Sequence, residues 1–314
     1  MAKLPKTILV SLALQDGKDS PEQARARDLC VVNQALLLAR HTGARVHIMH
    51  VVNFGEEALS DRYKSLVDEE RELAAAEMQQ VLDAVPAGNR DGVGEISTSV
   101  AAGRAWYEIL RVSHEQKAEL IVLGPAVHDS LLNRFLHGST AGRLIRKSAV
   151  PLWIVDSQNL TELKRILVPV DLRPVSAELI QVANELHAKT GAERHLLHCV
   201  SYPLDISMHR HADAEAKIRE YHQEVVAAAE AQIDELLGKD RTGWQVTLRQ
   251  DPVTAAVPDM IEKHNIDLMV IAGVSLPRVA GVLLGTTAEK ILAKVHAPTY
   301  VIKPEGWESP IHFD

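Results

Sequence analysis

The sequence of 314 residues has little cysteine and lacks long apolar runs. Its two cysteines, Cys30 and Cys199, lie far apart, which favours unpaired thiols and a reducing compartment. No run approaches the roughly 18 apolar residues that span a bilayer. The apolar run near the start is followed by Asp16, Asp19 and Glu22 instead of a small-residue cleavage site. The sequence therefore predicts a cytoplasmic protein without a membrane span.

An excess of basic residues is also missing. The chain has 34 Lys and Arg against 42 Asp and Glu, a formal net charge of −8, which argues against a nucleic-acid partner or an anionic membrane surface. Its 17 Gly and 14 Pro are too few for a collagen-like or largely disordered chain. The length is about twice that of a usual domain and therefore predicts two domains.

Common catalytic motifs are absent as well. The chain has no G-x4-G-K-[ST], G-x-G-x-x-G, HExxH, CxxC or G-x-S-x-G. ATP hydrolysis would need acidic Mg²⁺ ligands and a water-positioning group, for which Asp171 is the sole candidate. We therefore predict no catalytic residues, and weak ATPase or nucleotidyl-transfer activity stays open as an alternative.

The sequence does contain a long internal repeat. HTGARVHIMHVV at 41–52 aligns with KTGAERHLLHCV at 189–200, an offset of 148 residues. HGSTAGRLIRKSAVPLWIV at 137–155 aligns with LGTTAEKILAKVHAPTYVI at 284–302, an offset of 147. The apolar starts of the two copies align at 158, so the first copy carries about ten more residues near its first loop. We infer two copies of one domain.

In each copy, short apolar runs alternate with helical patterns, which is typical of βαβ units in a parallel sheet. We predict an α/β fold with domains at 1–156 and 157–314, each a five-stranded parallel sheet with helices on both faces. The first copy is predicted to contain strands at 7–13, 45–52, 95–101, 120–123 and 152–155 and helices at 21–42, up to about 84, 105–116 and 139–148. The polar linker 156–164 is short enough to keep the copies packed together.

Candidate ligand-binding residues follow the predicted strands, because open α/β sheets bind ligands at the carboxyl ends of their strands. Asp171 follows the first strand of the second copy and could accept hydrogen bonds from a ribose or base; its counterpart in the first copy is Ala13. A turn or helix-cap aspartate is an equally good interpretation. The helix starts at 138–140 and 285–287 could hold phosphate, but their small and hydroxyl residues are also ordinary N-caps.

The order of elements, the Asp171 strand, the glycine and hydroxyl turns and the final strand after Ala297-Pro298 resemble the universal stress protein family. The closing VIKPEGWESPIHFD is similar to the tandem E group of that family. The resemblance implies Rossmann-like domains of the adenine nucleotide alpha hydrolase-like type, whose last strands pair so that the tandem imitates a dimer. It also implies a stress-response protein acting by ligand binding and protein contacts; it admits a homodimer and leaves the protein partners unidentified.

Nucleotide-binding members of this family use an Asp after the first strand and a loop G-x2-G-x9-G-[ST]. In the second copy Asp171 matches the aspartate, and the loop spacing is kept with Ala272, Ser275, Gly285 and Thr286, followed by Thr287. Gly273 lies one position late and could compensate for a missing glycine. The resemblance therefore implies ATP or another adenine nucleotide, with Mg²⁺ as a companion, in the second copy.

The first copy keeps less of this pattern. Gly124, Gly138, Ser139 and Thr140 are present, but Val127 replaces the second glycine, the spacing is one residue longer and the aspartate is missing. We therefore predict a weaker site there.

An apolar ligand and a metal ion are the two alternatives to a nucleotide. Apolar residues in the second-copy loop could line a pocket for an acyl or lipid-like ligand: Val274, Leu276, Val279, Val282 and Leu283. His209 and His211, with Asp213 and His222 nearby, suggest a metal, but no complete ligand spacing is present, so we predict none. His47 with His50, and His195 with His198, are three apart on strands, which predicts opposite faces. One of each pair could face the crevice between the domains, and a hydrogen-bonded core position is the preferred interpretation.

Overall fold

The computed structural model of the chain describes residues 4–14, 20–54, 61–124, 139–156, 160–205, 214–273 and 286–313. The elements of the first copy are β1 (Thr7–Leu12), α1 (Pro21–Thr42), β2 (Arg45–Val52), α2 (Lys64–Asp83), β3 (Ile96–Ala102), α3 (Ala105–Glu115), β4 (Leu120–Leu123), α4 (Thr140–Lys147) and β5 (Leu152–Ile154). The elements of the second copy are β6 (Arg165–Val170), α5 (Val175–Thr190), β7 (Glu193–Cys199), α6 (Ala214–Leu237), β8 (Trp244–Arg249), α7 (Val253–His264), β9 (Leu268–Ala272), α8 (Thr286–Leu292) and β10 (Thr299–Ile302).

The strands form one ten-stranded sheet in the order β3-β2-β1-β4-β5-β10-β9-β6-β7-β8. Pairing is parallel within each copy, and β5 pairs with β10 antiparallel, with Trp153 opposite Tyr300. The α/β fold and the pairing of the last strands are therefore confirmed. Apolar residues pack on both faces of the sheet in two continuous cores, which explains why the strands read as unbroken apolar runs.

The helix ends follow the local sequence signals. Ser20 and Gln23 form a capping box at the start of α1, with Pro21 in the first turn, and Gly43 ends the helix at φ +66°. The strand predicted at 7–13 ends one residue earlier, at Leu12. The N–H of Ala13 donates to Asp28 on α1 instead of to a neighbouring strand.

The joint between the copies is apolar and tightly closed. The rings of Trp153 and Tyr300 meet edge to face with centroids 6.0 Å apart, and both side chains are buried. The Trp153 indole N–H donates to Gln34 Oε1 at 3.1 Å. Burial raises the pKa of the Tyr300 phenol far above its usual value, so the ring stays neutral. The joint is therefore built like a protein core.

Candidate functional site

A cleft of about 810 Å³ opens at the carboxyl ends of β6, β7 and β9 in the second copy. The middle of α6 and the starts of α5, α7 and α8 complete its walls. Most of the lining is apolar: Pro169, Val170, Val175, Leu179, Val200, Val225, Ala229, Pro252, Val253, Ile271, Ala272, Ala288 and Ile291. This size and position suit a small organic ligand.

The acidic side chains lining the described part of the cleft are Asp171, Asp205 and Asp251. Each lies beside a basic side chain, which is Arg173, His222 or Arg249. The shortest side-chain contacts are 3.4 Å for Asp171 with Arg173, 2.8 Å for Asp205 with His222 and 2.7 Å for Asp251 with Arg249.

Asp171 lies at the mouth of the cleft, and its side chain is 53% exposed. Its Oδ1 accepts the backbone N–H of Arg173 at 3.1 Å, which makes it a turn aspartate as well. Leu172, the next residue, has φ +59°, and its counterpart Leu14 has φ +49°, so the two copies make the same turn after their first strands. The turn presents the carboxylate of Asp171 to the cleft.

The structure describes the two ends of the loop that was predicted to hold phosphate. Thr287 lines the cleft, and α8 begins at Thr286. Gly273 is buried, and its N–H donates to Ile302 O at 2.8 Å, so this N–H is engaged by β10. A Cβ at Gly273 would lie 3.0 Å from Val301, so glycine is needed here for close strand packing. Ser275, Gly285 and the apolar loop residues Val274, Leu276, Val279, Val282 and Leu283 lie outside the described ranges.

The cleft floor contains His198 and Cys199. The Nδ1 of His198 lies 2.9 Å from Val170 O, and His50 makes the same contact with Leu12 O at 3.0 Å in the first copy. Because a carbonyl only accepts, the imidazole N–H donates in both. Burial raises the pKa of the Cys199 thiol to about 11, which makes it a poor nucleophile at neutral pH.

The other two strand histidines are buried on the opposite side. His47 contacts the hydroxyls of Ser97 and Ser99, each at 2.8 Å, and is a hydrogen-bonded core residue as predicted. At the equivalent position, both ring nitrogens of His195 lack a hydrogen-bond partner among the described residues. Its ring lies 5.3 Å from that of His264. Burial lowers the pKa of both His47 and His195.

One wall of the cleft was not predicted. Tyr202 follows β7 and stacks on His222 of α6, with ring centroids 3.7 Å apart, while His222 bonds Asp205. The one available signal was the segment SYPLD directly after β7, at the binding edge of the sheet. His209, His211 and Asp213 lie outside the described ranges, and elsewhere the described residues hold no cluster of three metal-binding side chains.

Within the described ranges, the equivalent edge of the first copy holds a smaller pocket of about 210 Å³, lined by Leu14 and by residues of α1 and α2, Asp28 among them. Val175 at the start of α5 corresponds to Arg27, so α1 begins six residues earlier than α5. On this longer helix, buried Asp28 accepts the N–H groups of Ala13 at 3.2 Å and Leu14 at 2.9 Å. Leu14, in the turn after β1, is 4% exposed, whereas Asp171 in the corresponding turn of the second copy has an exposed side chain.

The other first-copy candidates are placed as follows. A Cβ at Gly124 would lie 3.1 Å from Val31, so this glycine packs against α1. Ser139 accepts the N–H of Gly142 at 3.1 Å as the N-cap of α4, which begins at Thr140. Gly138 lies outside the described ranges.

Replacing Asp28 by alanine is expected to lower the free energy of unfolding by about 2–3 kcal/mol, because the buried N–H of Leu14 and the part-buried N–H of Ala13 lose their acceptor. Urea denaturation measures the loss. Asp68→Ala on the exposed face of α2 is the matched control and should change stability by less than about 0.5 kcal/mol. Equal effects of the two substitutions would contradict the role assigned to Asp28.

The fold and the cleft define a tandem α/β protein with a cleft at the carboxyl ends of its second-copy strands. The profile of the Universal stress protein family matches residues 19–156 and again residues 162–303. The chain therefore belongs to the universal stress protein family, with two tandem domains of that family's fold.

Solved structures agree on the fold. A universal stress protein from Archaeoglobus fulgidus DSM 4304 is 18% identical with a TM-score of 0.65, covering 96% of this chain and 97% of its own. A putative universal stress protein from Pseudomonas aeruginosa UCBPP-PA14 is 19% identical with a TM-score of 0.60, covering 95% of this chain and 93% of its own. A universal stress protein in complex with cAMP is 22% identical over 50% of this chain and 100% of its own, with a TM-score of 0.37. No curated protein matches the sequence.

Within the described ranges, every helix is too short or too polar to cross a bilayer.

Proposed function

We propose that the second-copy cleft binds an adenine nucleotide such as ATP. The observation that carries the proposal is the Asp171 carboxylate at the mouth of the 810 Å³ cleft where β6 and β9 end and α8 begins. In this arrangement the apolar walls hold the base, Asp171 accepts hydrogen bonds from the ribose hydroxyls, and Thr286 and Thr287 lie at the helix start that would face phosphate. Ser275 and Gly285 complete the proposed loop, with Gly273 in a packing role.

We further propose that the protein acts by binding and by protein contacts in the cytoplasmic stress response. The first copy, in domain 1–156, contributes the half with the smaller pocket, and the second, in domain 157–314, contributes the ligand site. The difference between about 210 Å³ beside Leu14 and Asp28 and about 810 Å³ in the second copy supports this division. We therefore expect a ligand at Gly124, Ser139 and Thr140 of the first copy to bind more weakly than one in the second-copy cleft.

A second candidate ligand is an acyl or lipid-like molecule. The mostly apolar lining of the cleft favours such a ligand. The acidic side chains in the described part of the lining are Asp171, Asp205 and Asp251. The residues lining the described part of the cleft include no Lys or Arg that would bind a phosphate chain directly, whereas an uncharged hydrocarbon chain needs none.

Mass spectrometry of small molecules released by denaturing the freshly purified protein distinguishes these ligands. We expect about one adenine nucleotide per chain from the wild type and at least a tenfold loss in Asp171→Ala. Asp234→Ala, an exposed acid on α6, is the matched control and should retain the ligand. An apolar molecule retained by all three proteins would replace the nucleotide by the acyl alternative. Mg²⁺-dependent ATP turnover lost in Asp171→Ala would instead reveal a weak ATPase.

A further inference from the structure

Helix α8 has one side in the cleft and another on the first copy. Thr287, Ala288 and Ile291 line the cleft. Glu289, on the same helix, accepts a hydrogen bond from Arg146 of α4 at 3.2 Å, and the two side chains are 29% and 16% exposed. This ion pair crosses from one copy to the other and is sheltered from solvent, so it is less screened than a surface pair.

A second contact joins α4 to the residue that follows β10. Lys303 follows β10, and its Nζ donates to Ile145 O in α4. The same ammonium lies close to Gly273, since a Cβ there would be 3.5 Å from Nζ. Burial lowers the pKa of Lys303 to about 8, and the ring of Trp307 covers the ammonium at 4.3 Å. At neutral pH most Lys303 is still protonated and holds this bond.

The C-terminal segment 307–313 holds α4 from its other side. Its alternate residues Trp307, Ser309, Ile311 and Phe313 are half-buried, while the residues between them are exposed. Ser309 Oγ donates to Lys147 O at 2.7 Å, at the end of α4. Phe313 lies 5.5 Å from the Tyr107 ring of α3. The segment therefore lies extended across α3 and α4 of the first copy.

We propose that helix α4 of the first copy regulates the second-copy cleft, because it bonds Glu289 after the binding loop and also bonds Lys303, whose ammonium lies beside Gly273 before that loop. This inference rests on the proposed ligand-binding function of the same cleft. A displacement of α4 or of segment 307–313 shifts the α8 wall, and by reciprocity a ligand that contacts α8 steadies α4. A ligand in the cleft would thus change the α3–α4 surface of the first copy, to which a protein partner can bind.

The reactivity of Cys199 tests the coupling without any ligand. Cys199 lines the cleft, whereas Cys30 is 8% exposed; a Cys30→Ser background leaves Cys199 as the single thiol. In the full chain, Arg146→Ala and Glu289→Gln are each expected to raise the rate of Cys199 modification by a small thiol reagent about three- to tenfold. The double substitution should add little, because both remove the same ion pair.

Arg143→Ala is the matched control, since Arg143 lies on α4 but stacks on Trp106, and it should leave the rate within twofold. Rates within twofold for all variants would overturn the proposal. A rate increase matched by an equal loss of global stability in urea would also overturn it, because unfolding would then explain the labelling.

A second measurement separates this inference from the proposed ligand. Titration with ATP should show Arg146→Ala binding about five- to tenfold more weakly than the parent, with Arg143→Ala unchanged. If ATP binds neither protein while Cys199 labelling still responds, the nucleotide assignment fails and the coupling stands. If ATP binds all variants equally and labelling is unchanged, the coupling fails and the nucleotide assignment stands.

Discussion

Trp153→Ala is expected to lower the free energy of unfolding by about 3–5 kcal/mol, the largest loss among the single substitutions considered. Trp153 is 1% exposed at the centre of the ten-stranded sheet, packs on Tyr300 and donates to Gln34. Removing its ring leaves a cavity in the joint, which the antiparallel pairing of β5 and β10 cannot close. Urea denaturation followed by circular dichroism measures the loss.

Two further substitutions test whether the stability loss in Trp153→Ala comes from removal of the buried ring. Trp153→Phe keeps most of the ring and loses the indole N–H, so it should cost about 1–3 kcal/mol. Tyr63→Ala removes an aromatic ring that is 41% exposed and should cost under about 0.5 kcal/mol. If Trp153→Ala costs no more than Tyr63→Ala, the joint is not a packed core.

Acidification below about pH 6.5 is expected to destabilise the protein steeply. Burial lowers the pKa of His47, His50 and His195 in the folded chain, whereas histidine in an unfolded chain titrates near 6.5. Below that pH the unfolded chain binds protons that the folded chain does not. Stability present above pH 6.5 is therefore lost as the pH falls, with a limiting slope of about 1.4 kcal/mol per pH unit for each histidine.

His195→Leu provides the test of this slope. Leucine suits the site, because His195 is 2% exposed and its ring makes no hydrogen bond in the described part of the chain; its Nε2 lies 3.7 Å from Glu193. Denaturation at several pH values should show a slope smaller by about one proton than in the wild type, and stability at pH 7 that is unchanged or higher. An unchanged slope would show that His195 already binds a proton in the folded state.

Much of the architecture could be predicted, because it depends on short-range patterns. Segments of 12 and 19 residues that repeat at 148 and 147 residues indicate the same strand, turn and helix twice, since similar local sequence forms similar local structure. The positions of Asp171 and Thr287 at strand and helix ends follow from the same reasoning, and the structure brings both to one cleft. That they bind a nucleotide stays a prediction.

The sequence by itself determined the tandem repeat, the parallel order within each copy and the edge at which a ligand can bind. The tertiary structure decided which edge carries the larger cleft: Asp28, which follows about ten additional residues, holds the turn after β1 in the first copy, while Tyr202 and Asp205 form a wall of the second. It also decided that α4 contacts Glu289 and Lys303. These contacts join residues 143 and 158 positions apart, and they form because the two copies dock through β5 and β10, which no local pattern specifies.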